Sequence, residues 1–207
     1  MSKSLPKQYQ VAELSQSPEI SALTAKLVTL QENEPFKALT LISATIADGK
    51  SAVATSLAIN YARKGLRVLL VNANPFDSTN YFDKTSPTTL SAILASDDFG
   101  QMHDVVVTVN PYLDLISGDQ DSLAFASVEA KLRLQQFIKI ASTEYNLVLF
   151  DGPAFAGNEA GLYLSDAVGF VLIVLRRDHS KLKATDAMVT DLQSTNVEII
   201  GSVILDR

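Results

Sequence analysis

The 207 residues predict a doubly wound α/β fold, a mostly parallel sheet with helices on both faces. Three observations carry this expectation. Short apolar runs alternate with stretches of helical spacing along the chain, the rhythm of repeated strand–helix units. The runs at 147–150 and 168–175 are apolar throughout rather than on every second residue, as strands buried on both faces are. Gly49-Lys50-Ser51 falls where one such run gives way to a helical stretch, a strand-to-helix junction.

The elements follow in order. Residues 1–16 read as an N-terminal arm, loose over about the first ten, and 17–207 as one α/β domain. Ser17-Pro18-Glu19 supplies a helix cap, a proline at the first helical position and an acid in the first turn. Ile20, Leu23, Leu27 and Leu30 then mark one helical face. After the break near Pro35, residues 38–42 form a short buried strand and 50–64 a helix closed by Gly65. A strand at 67–71 leads into polar 72–80, with a short helix at Leu90–Ala95 and a strand at Leu113–Ile116. Leu132, Leu134, Phe137, Ile138 and Ile140 give 128–142 a helical pattern, and 147–150 runs straight into Asp151, where Gly152-Pro153 turns the chain. A strand at 168–175, a helix at 181–193 and a strand at 199–205 complete the series.

Composition narrows the chemistry. A hydrophobic content of 47% is enough for a sizeable core. Without cysteine there is no disulfide framework, thiolate metal site or thiol nucleophile, which fits a reducing compartment. A net charge of -6 argues against a general affinity for nucleic acid or anionic membrane. No apolar run approaches the roughly 20 residues that span a bilayer, and the first ten residues lack an apolar signal core, so a soluble chain is expected. His103 and His179, the two histidines, lie far apart in the sequence and offer neither a zinc site nor a histidine triad. Arg176 and Arg177 follow an apolar run directly and read as strand-end charge at the sheet edge where nucleotides bind in this architecture.

The segment 44–51, ATIADGKS, occupies the position a phosphate-binding loop requires. Loop amides and the start of the following helix can surround an anion. Lys50 would reach the outer phosphates, Ser51 would ligate magnesium, and Gly49 lets the backbone approach closely. The general pattern G-x-x-x-x-G-K-[ST] is met except at its first glycine, which is Ala44. Asp151, ending an apolar strand, has the form of a Walker B acid that holds magnesium directly or through water. Lys50 and Asp151 are thus the candidate catalytic residues, with Ser51 and Asp151 the candidate metal ligands.

These residues resemble a family. The string Ser43-Ala44-Thr45-Ile46-Ala47-Asp48-Gly49-Lys50-Ser51-Ala52, the later Asn72-Ala73-Asn74 and Asp151-Gly152-Pro153-Ala154 match, in order and spacing, motifs of the cytoplasmic domain of bacterial tyrosine kinases. That family is a P-loop relative of the MinD and ParA ATPases and serves exopolysaccharide synthesis and export. Leu90–Ala95, Asn110-Pro111-Tyr112 with the strand after it, and Ser165-Asp166-Ala167 also keep the family's spacing. The resemblance implies ATP or ADP with Mg2+ as cofactors, contacted by Ala47, Asp48, Gly49, Lys50, Ser51, Ala52, Asn72 and Asn74. It also implies a cytoplasmic location, with recruitment to the inner face of the membrane by a membrane-embedded polysaccharide export or co-polymerase protein. It leaves room for a homo-oligomer and implies no nucleic-acid partner.

The departures from the family fall on chemistry. Its intermediate motif carries two aspartates, where this chain has Asn72 and Asn74. A neutral amide is a poor magnesium ligand and cannot accept a proton, so phosphoryl transfer should suffer. Ile46, Ala47 and Ala52 replace the loop's Pro, Gly and Thr. A Cβ at position 47 is costly if the loop needs positive φ there, and Ala52 lacks a hydroxyl for phosphate. The family's Glu-x-x-Arg-x-x-Arg, used for ring assembly, is reduced to Glu19 followed by apolar and small residues, and no tyrosine cluster follows Leu205. Tyr61, Tyr81, Tyr112, Tyr145 and Tyr163 are scattered and read as packing residues. The expectation is a degenerate nucleotide-binding relative with weak or absent kinase activity and a regulatory role. Two alternatives stand beside it: a working tyrosine autokinase or MinD/ParA-type ATPase in which Asp151 alone manages magnesium, and an interaction module with an empty pocket.

Overall fold

The computed structural model describes residues 7–74, 81–96, 102–118, 127–155 and 159–206. Seven strands form one sheet: β1 (Ala38–Ser43), β2 (Val68–Asn72), β3 (Val107–Asn110), β4 (Leu113–Ile116), β5 (Leu147–Ala154), β6 (Phe170–Arg176) and β7 (Glu198–Leu205). Their order is β3-β4-β2-β5-β1-β6-β7, and every neighbouring pair is parallel except β3 and β4. Among the described residues eight helices accompany them: α1 (Lys7–Leu14), α2 (Pro18–Asn33), α3 (Lys50–Arg63), α4 (Leu90–Ala95), α5 (Met102–Val105), α6 (Val128–Glu144), α7 (Ala160–Val168) and α8 (Leu182–Gln193). The expected doubly wound α/β architecture is the one observed.

Burial explains why the strands read as continuous apolar runs. β1, β4 and β5 are buried at every position, because helices cover both faces of the sheet. On one face Ile20 and Leu27 of α2 join Val53, Leu57 and Tyr61 of α3 over Leu39, Leu41 and Leu149. On the other, Leu134 and Phe137 of α6 and Leu164 of α7 pack on Leu69, Val71, Val148 and Phe150. Met188 and Leu192 of α8 complete that layer over Ile42, Val171 and Ile173.

Local chemistry sets the helix starts. The Ser17 hydroxyl accepts from the Ile20 amide at 3.2 Å, with Pro18 at the first helical position, as the sequence predicts. Thr89 caps α4 and Ser127 caps α6 in the same way.

Several elements depart from expectation. Lys7–Leu14, within the stretch expected as a loose arm, is helical and packs on α3. Val11 is buried, and the Ser15 carbonyl just beyond α1 accepts from Asn60 Nδ2 at 2.8 Å and Arg63 Nη1 at 2.6 Å. β3 was not expected; it is an antiparallel edge strand joined to β4 by a tight turn in which the Tyr112 amide donates to Asn110 Oδ1 at 2.9 Å. α7 was not expected either, its residues lacking a long apolar period. It lies close on β5, so that a Cβ at Gly161 would stand 2.8 Å from the Phe155 ring.

The turn expected at Gly152-Pro153 is a correction. Both residues belong to β5, which continues to Ala154. The register against β1 passes from Leu41↔Asp151 to Ser43↔Ala154, so two residues of β5 face one of β1 in a bulge. Glycine fits there because a Cβ at position 152 would lie 2.7 Å from the Leu41 carbonyl oxygen. At a bulge the missing N–H of Pro153 removes no regular ladder bond.

The connections prepare a site. From β1 the chain moves outward to β2 and β4, then returns to β5 and proceeds past β1 to β6 and β7. The carboxyl ends of β1, β2 and β5 therefore converge where the winding reverses, the crevice in which open α/β sheets bind ligands.

Candidate nucleotide site

The loop after β1 is tightly structured. The Ser43 hydroxyl donates to the Thr45 carbonyl at 2.7 Å. Asp48 is fully buried, and its Oδ2 accepts from the Thr45 amide at 3.0 Å and the Thr45 hydroxyl at 2.7 Å. Two residues take left-handed backbone conformations, Ala47 at φ 67° and Gly49 at φ 89°. The positive φ at position 47 is the condition under which the sequence makes its Cβ costly, and a non-glycine residue there is strained by about 1–2 kcal/mol.

Lys50 and Ser51 open α3 and are both buried. No side chain caps this helix start, so the first-turn amides have no side-chain acceptor. Among the described residues, no group accepts a hydrogen bond or forms an ion pair with the Lys50 ammonium. Ala52 follows, half-buried. Helix-terminal amides with a buried lysine beside them are the kind of arrangement that favours an anion.

Asp151, likewise buried, lies on β5 in register with Asn72 of β2 on one side and Leu41 of β1 on the other. Asn72 and Asp151 border a common cavity of about 180 Å³, with Thr55, Leu70, Phe82 and Ser117 among its walls. The Asn72 Oδ1 accepts from the Asn74 amide at 3.0 Å, a side-chain turn of the kind asparagine favours after a strand. Asn74 is buried. Gly118, after β4, leaves room for Asn72, since a Cβ there would lie 2.8 Å from the Asn72 Cγ. The fold thus gathers the loop, Lys50, Ser51, Asn72, Asn74 and Asp151 at one edge of the sheet.

Whether these donors suit magnesium can be judged from their chemistry. One hydroxyl, one carboxylate and two amide oxygens are too few and too weak for an all-protein cage. They suit a Mg2+ ion that keeps waters and takes its remaining oxygens from bound phosphates. Among the described residues no group of three or more His, Cys, Asp or Glu side chains is placed to hold a metal ion, here or at any other position.

Sequence reasoning missed how the loop is held from outside. Ser180, in the connection from β6 to α8, donates its hydroxyl to Asp48 Oδ1 at 2.7 Å. Arg176 Nη1 donates to the Ala47 carbonyl at 3.4 Å, and His179 Nε2 lies 3.1 Å from the Ile46 carbonyl oxygen. Asp48, expected among the nucleotide contacts, is fully buried and commits both carboxylate oxygens to this network. Arg177 pairs with Asp206 at 3.0 Å. No sequence signal links residues 130 positions apart, though two arginines ending a strand at this sheet edge did mark the region.

The tyrosines divide by environment. The Tyr61 hydroxyl donates to Gln31 Oε1 at 3.0 Å and that of Tyr145 to Asp114 Oδ2 at 2.7 Å. Burial holds the pKa of both far above the ordinary phenol range, and the Asp114 hydrogen bond adds to the effect at Tyr145. These two are packing residues, as expected. Tyr163 donates to Glu159 at 2.8 Å, which raises its pKa, and Tyr112 is exposed.

No family model matches the chain. Among curated proteins it is 29% identical over 204 residues to the putative tyrosine-protein kinase EpsB of Ralstonia nicotianae, covering 95% of this chain and 27% of that one. It is 24% identical over 173 residues to the tyrosine-protein kinase YwqD of Bacillus subtilis, covering 82% of this chain and 72% of that one. The chain therefore spans about a quarter of the length of EpsB. Among solved structures, the kinase domain of the Escherichia coli tyrosine kinase ETK superposes with a TM-score of 0.77 at 21% identity, covering 100% of this chain and 83% of that one. Cobyrinic acid a,c-diamide synthase from Mycobacterium smegmatis, solved with a bound ATP analogue and magnesium, gives a TM-score of 0.64 at 16% identity, covering 82% and 74%. In sequence over nearly its whole length, and in fold, the chain resembles the cytoplasmic domain of the bacterial tyrosine kinases, within the P-loop superfamily.

Proposed function

We propose that the chain binds a nucleoside triphosphate or diphosphate with magnesium at the loop 44–51, and that it is a degenerate tyrosine-kinase relative with weak or absent phosphoryl transfer. It acts as a regulatory partner of membrane-embedded exopolysaccharide export machinery. The observation that carries the binding half is the pairing of a buried Lys50, without an ion-pair partner among the described residues, with a helix start that no N-cap side chain closes, at the reversal of the sheet. Loop amides and Lys50 hold the phosphates, Ser51 and Asp151 hold the metal, and Asn72 and Asn74 line the approach. Magnesium supplies charge neutralisation on the phosphate oxygens when bound.

The degenerate half rests on the chemistry of position 72. Asn72 stands beside Asp151 in the strand register, where a carboxylate could serve as metal ligand or proton acceptor. Its neutral amide is a weak metal ligand and no proton acceptor, and its oxygen holds the turn to Asn74. Asp151 is left as the acid of the site, which favours holding nucleotide over turning it over. The similarity to tyrosine-protein kinases supports the kinase ancestry, and structures of the same fold solved with ATP or an ATP analogue support the cofactor.

The test is binding of a fluorescent ATP analogue with and without Mg2+, using Lys50→Ala as control, alongside phosphate release. Magnesium-dependent binding lost in Lys50→Ala, with little or no release, is the expected result. Absence of binding would sink the reading in favour of an interaction module, and robust turnover would restore a working enzyme.

A further inference from the structure

The phosphate loop of this chain lacks the two residues that would shape it unaided. Ile46 stands where its relatives' pattern has a φ-restricting proline, and Ala47 where it has a glycine, yet Ala47 is at φ 67°. A loop with a strained alanine and no proline has no intrinsic reason to keep its shape before a ligand arrives. Something else must hold it.

Three side chains from one short segment do so. From the end of β6 and the connection to α8, Arg176, His179 and Ser180 each bond a different consecutive loop residue: the Ala47 carbonyl, the Ile46 carbonyl and the Asp48 carboxylate. Asp48 is the keystone, because it is fully buried and joins the outer segment to the start of the loop. Its Oδ1 takes the Ser180 hydroxyl while its Oδ2 takes the amide and hydroxyl of Thr45. The His179 Nε2 stands 3.9 Å from the same Oδ1. On the far side, Leu205 of β7 packs against Gly49, its Cδ1 only 2.5 Å from where a Cβ would sit. The β6–α8 segment itself is closed: the Arg176 amide donates to the Ser180 hydroxyl at 2.8 Å, and the Ser180 amide to the Arg176 carbonyl at 2.9 Å.

From these contacts we infer that Asp48 and Ser180 are positioning residues for nucleotide binding, a clamp that keeps the loop 45–49 in its anion-receptive shape in place of the missing proline and glycine. The inference deepens the nucleotide-binding reading and rests on it for the affinity readout, though not for the exchange readout below. The Ser180 hydroxyl donates to a buried carboxylate, a charge-assisted bond that is stronger than a neutral one. Its loss lets the strained loop leave the competent conformation, and apparent affinity falls in proportion to the population lost. Relief of the strain at position 47 should make the clamp dispensable.

Ser180→Ala should weaken binding of the fluorescent ATP analogue about tenfold, equivalent to about 1.4 kcal/mol. Its melting temperature should stay close to that of the wild type, because the residue is half-exposed at the sheet rim. Ser180→Thr, which keeps the hydroxyl, should bind as the wild type does. Ser180→Ala combined with Ala47→Gly should recover most of the loss, whereas the two changes should simply add if the clamp and the strain are unconnected. Equal affinity of Ser180→Ala and wild type overturns the clamp while leaving nucleotide binding intact. Hydrogen exchange of the nucleotide-free proteins gives the second readout: the Thr45 amide, bonded to Asp48, should exchange faster in Ser180→Ala and in Asp48→Asn than in wild type. Unchanged exchange in both variants refutes the clamp whether or not the wild type binds nucleotide.

Discussion

Replacing Asn72 by aspartate tests the geometry of the site and its chemistry together. Asn72 and Asp151 are register partners on adjacent parallel strands and border the same cavity. Neighbouring strands lie about 4.8 Å apart, so the variant places two carboxylates at about that separation. At an effective dielectric of about 20 the repulsion is about 3 kcal/mol. For a domain of about 200 residues each kcal/mol moves the melting temperature by about 2–4 °C, so without metal Asn72→Asp should melt about 6–12 °C below wild type. A divalent cation between the two carboxylates offsets that repulsion, and with Mg2+ and ATP most of the deficit should close. Melting curves in EDTA, in Mg2+ and in Mg2+ with ATP measure this directly. Asn72→Ala serves as the control, since it removes the turn to Asn74 without adding charge. If Asn72→Asp melts with the wild type in EDTA, or if its deficit is the same with and without Mg2+ and ATP, positions 72 and 151 do not share a metal-facing site.

Three other outcomes are expected. Asn72→Asp with Asn74→Asp should raise phosphate release above wild type, and unchanged release would mean that the two amides are not what limits turnover. Gly152→Ala should destabilise by about 1–3 kcal/mol, read from urea midpoints, because its Cβ would press on the Leu41 carbonyl at 2.7 Å and on Thr40. A wild-type midpoint would contradict the close approach of β1 and β5 at the bulge. Alkaline pH should destabilise the protein. Tyr61 and Tyr145 have folded-state pKa values raised by burial, so their contribution is intact below about pH 10, where the unfolded tyrosines are still protonated. Above that the unfolded chain loses protons that the native state keeps, and stability should fall by about 1.4 kcal/mol per pH unit for each such tyrosine. A flat denaturant midpoint from pH 9 to 11.5 would show that neither hydroxyl is held protonated.

Much of the framework could be read from residues because burial on both faces leaves a simple trace. Runs such as 147–150 and 171–174 are apolar at every position because helices cover both sides, although Val168, expected to open the second strand, closes α7 instead, and α2, α3, α4, α6 and α8 announced themselves by cap or period. What escaped was set by tertiary contact. β3 alternates Val107 and Val109 with polar residues because it is an edge strand. α7 is only nine residues long and turns mostly small side chains, Ala160, Gly161, Ser165 and Ala167 beside Leu164, to the interior, too short a stretch to stand out from the connection around it. Asp151 was legible as a strand-end acid, but the strand does not end there; only the proximity of Leu41 explains why Gly152 can continue it. Within the site, the loop, Lys50 and Ser51 followed from spacing. The Ser180–Asp48 bond did not, since a contact spanning 132 positions leaves no local pattern. The polar segment 72–80 is expected to follow the strand; Asn72 is instead the last residue of β2, and of the rest only Ala73 and Asn74 fall among the described residues.

The seat of α1 on α3 has a mechanical consequence. The Ser15 carbonyl is gripped by Asn60 and Arg63, in the last turn of the helix whose first residues are Lys50 and Ser51. A load applied ahead of Lys7 is therefore delivered to the tail of α3 before it reaches any strand. A rigid rod of 14 residues carries displacement along its axis, so tension at the amino side of the molecule is felt about 20 Å away at the end that carries Lys50 and Ser51.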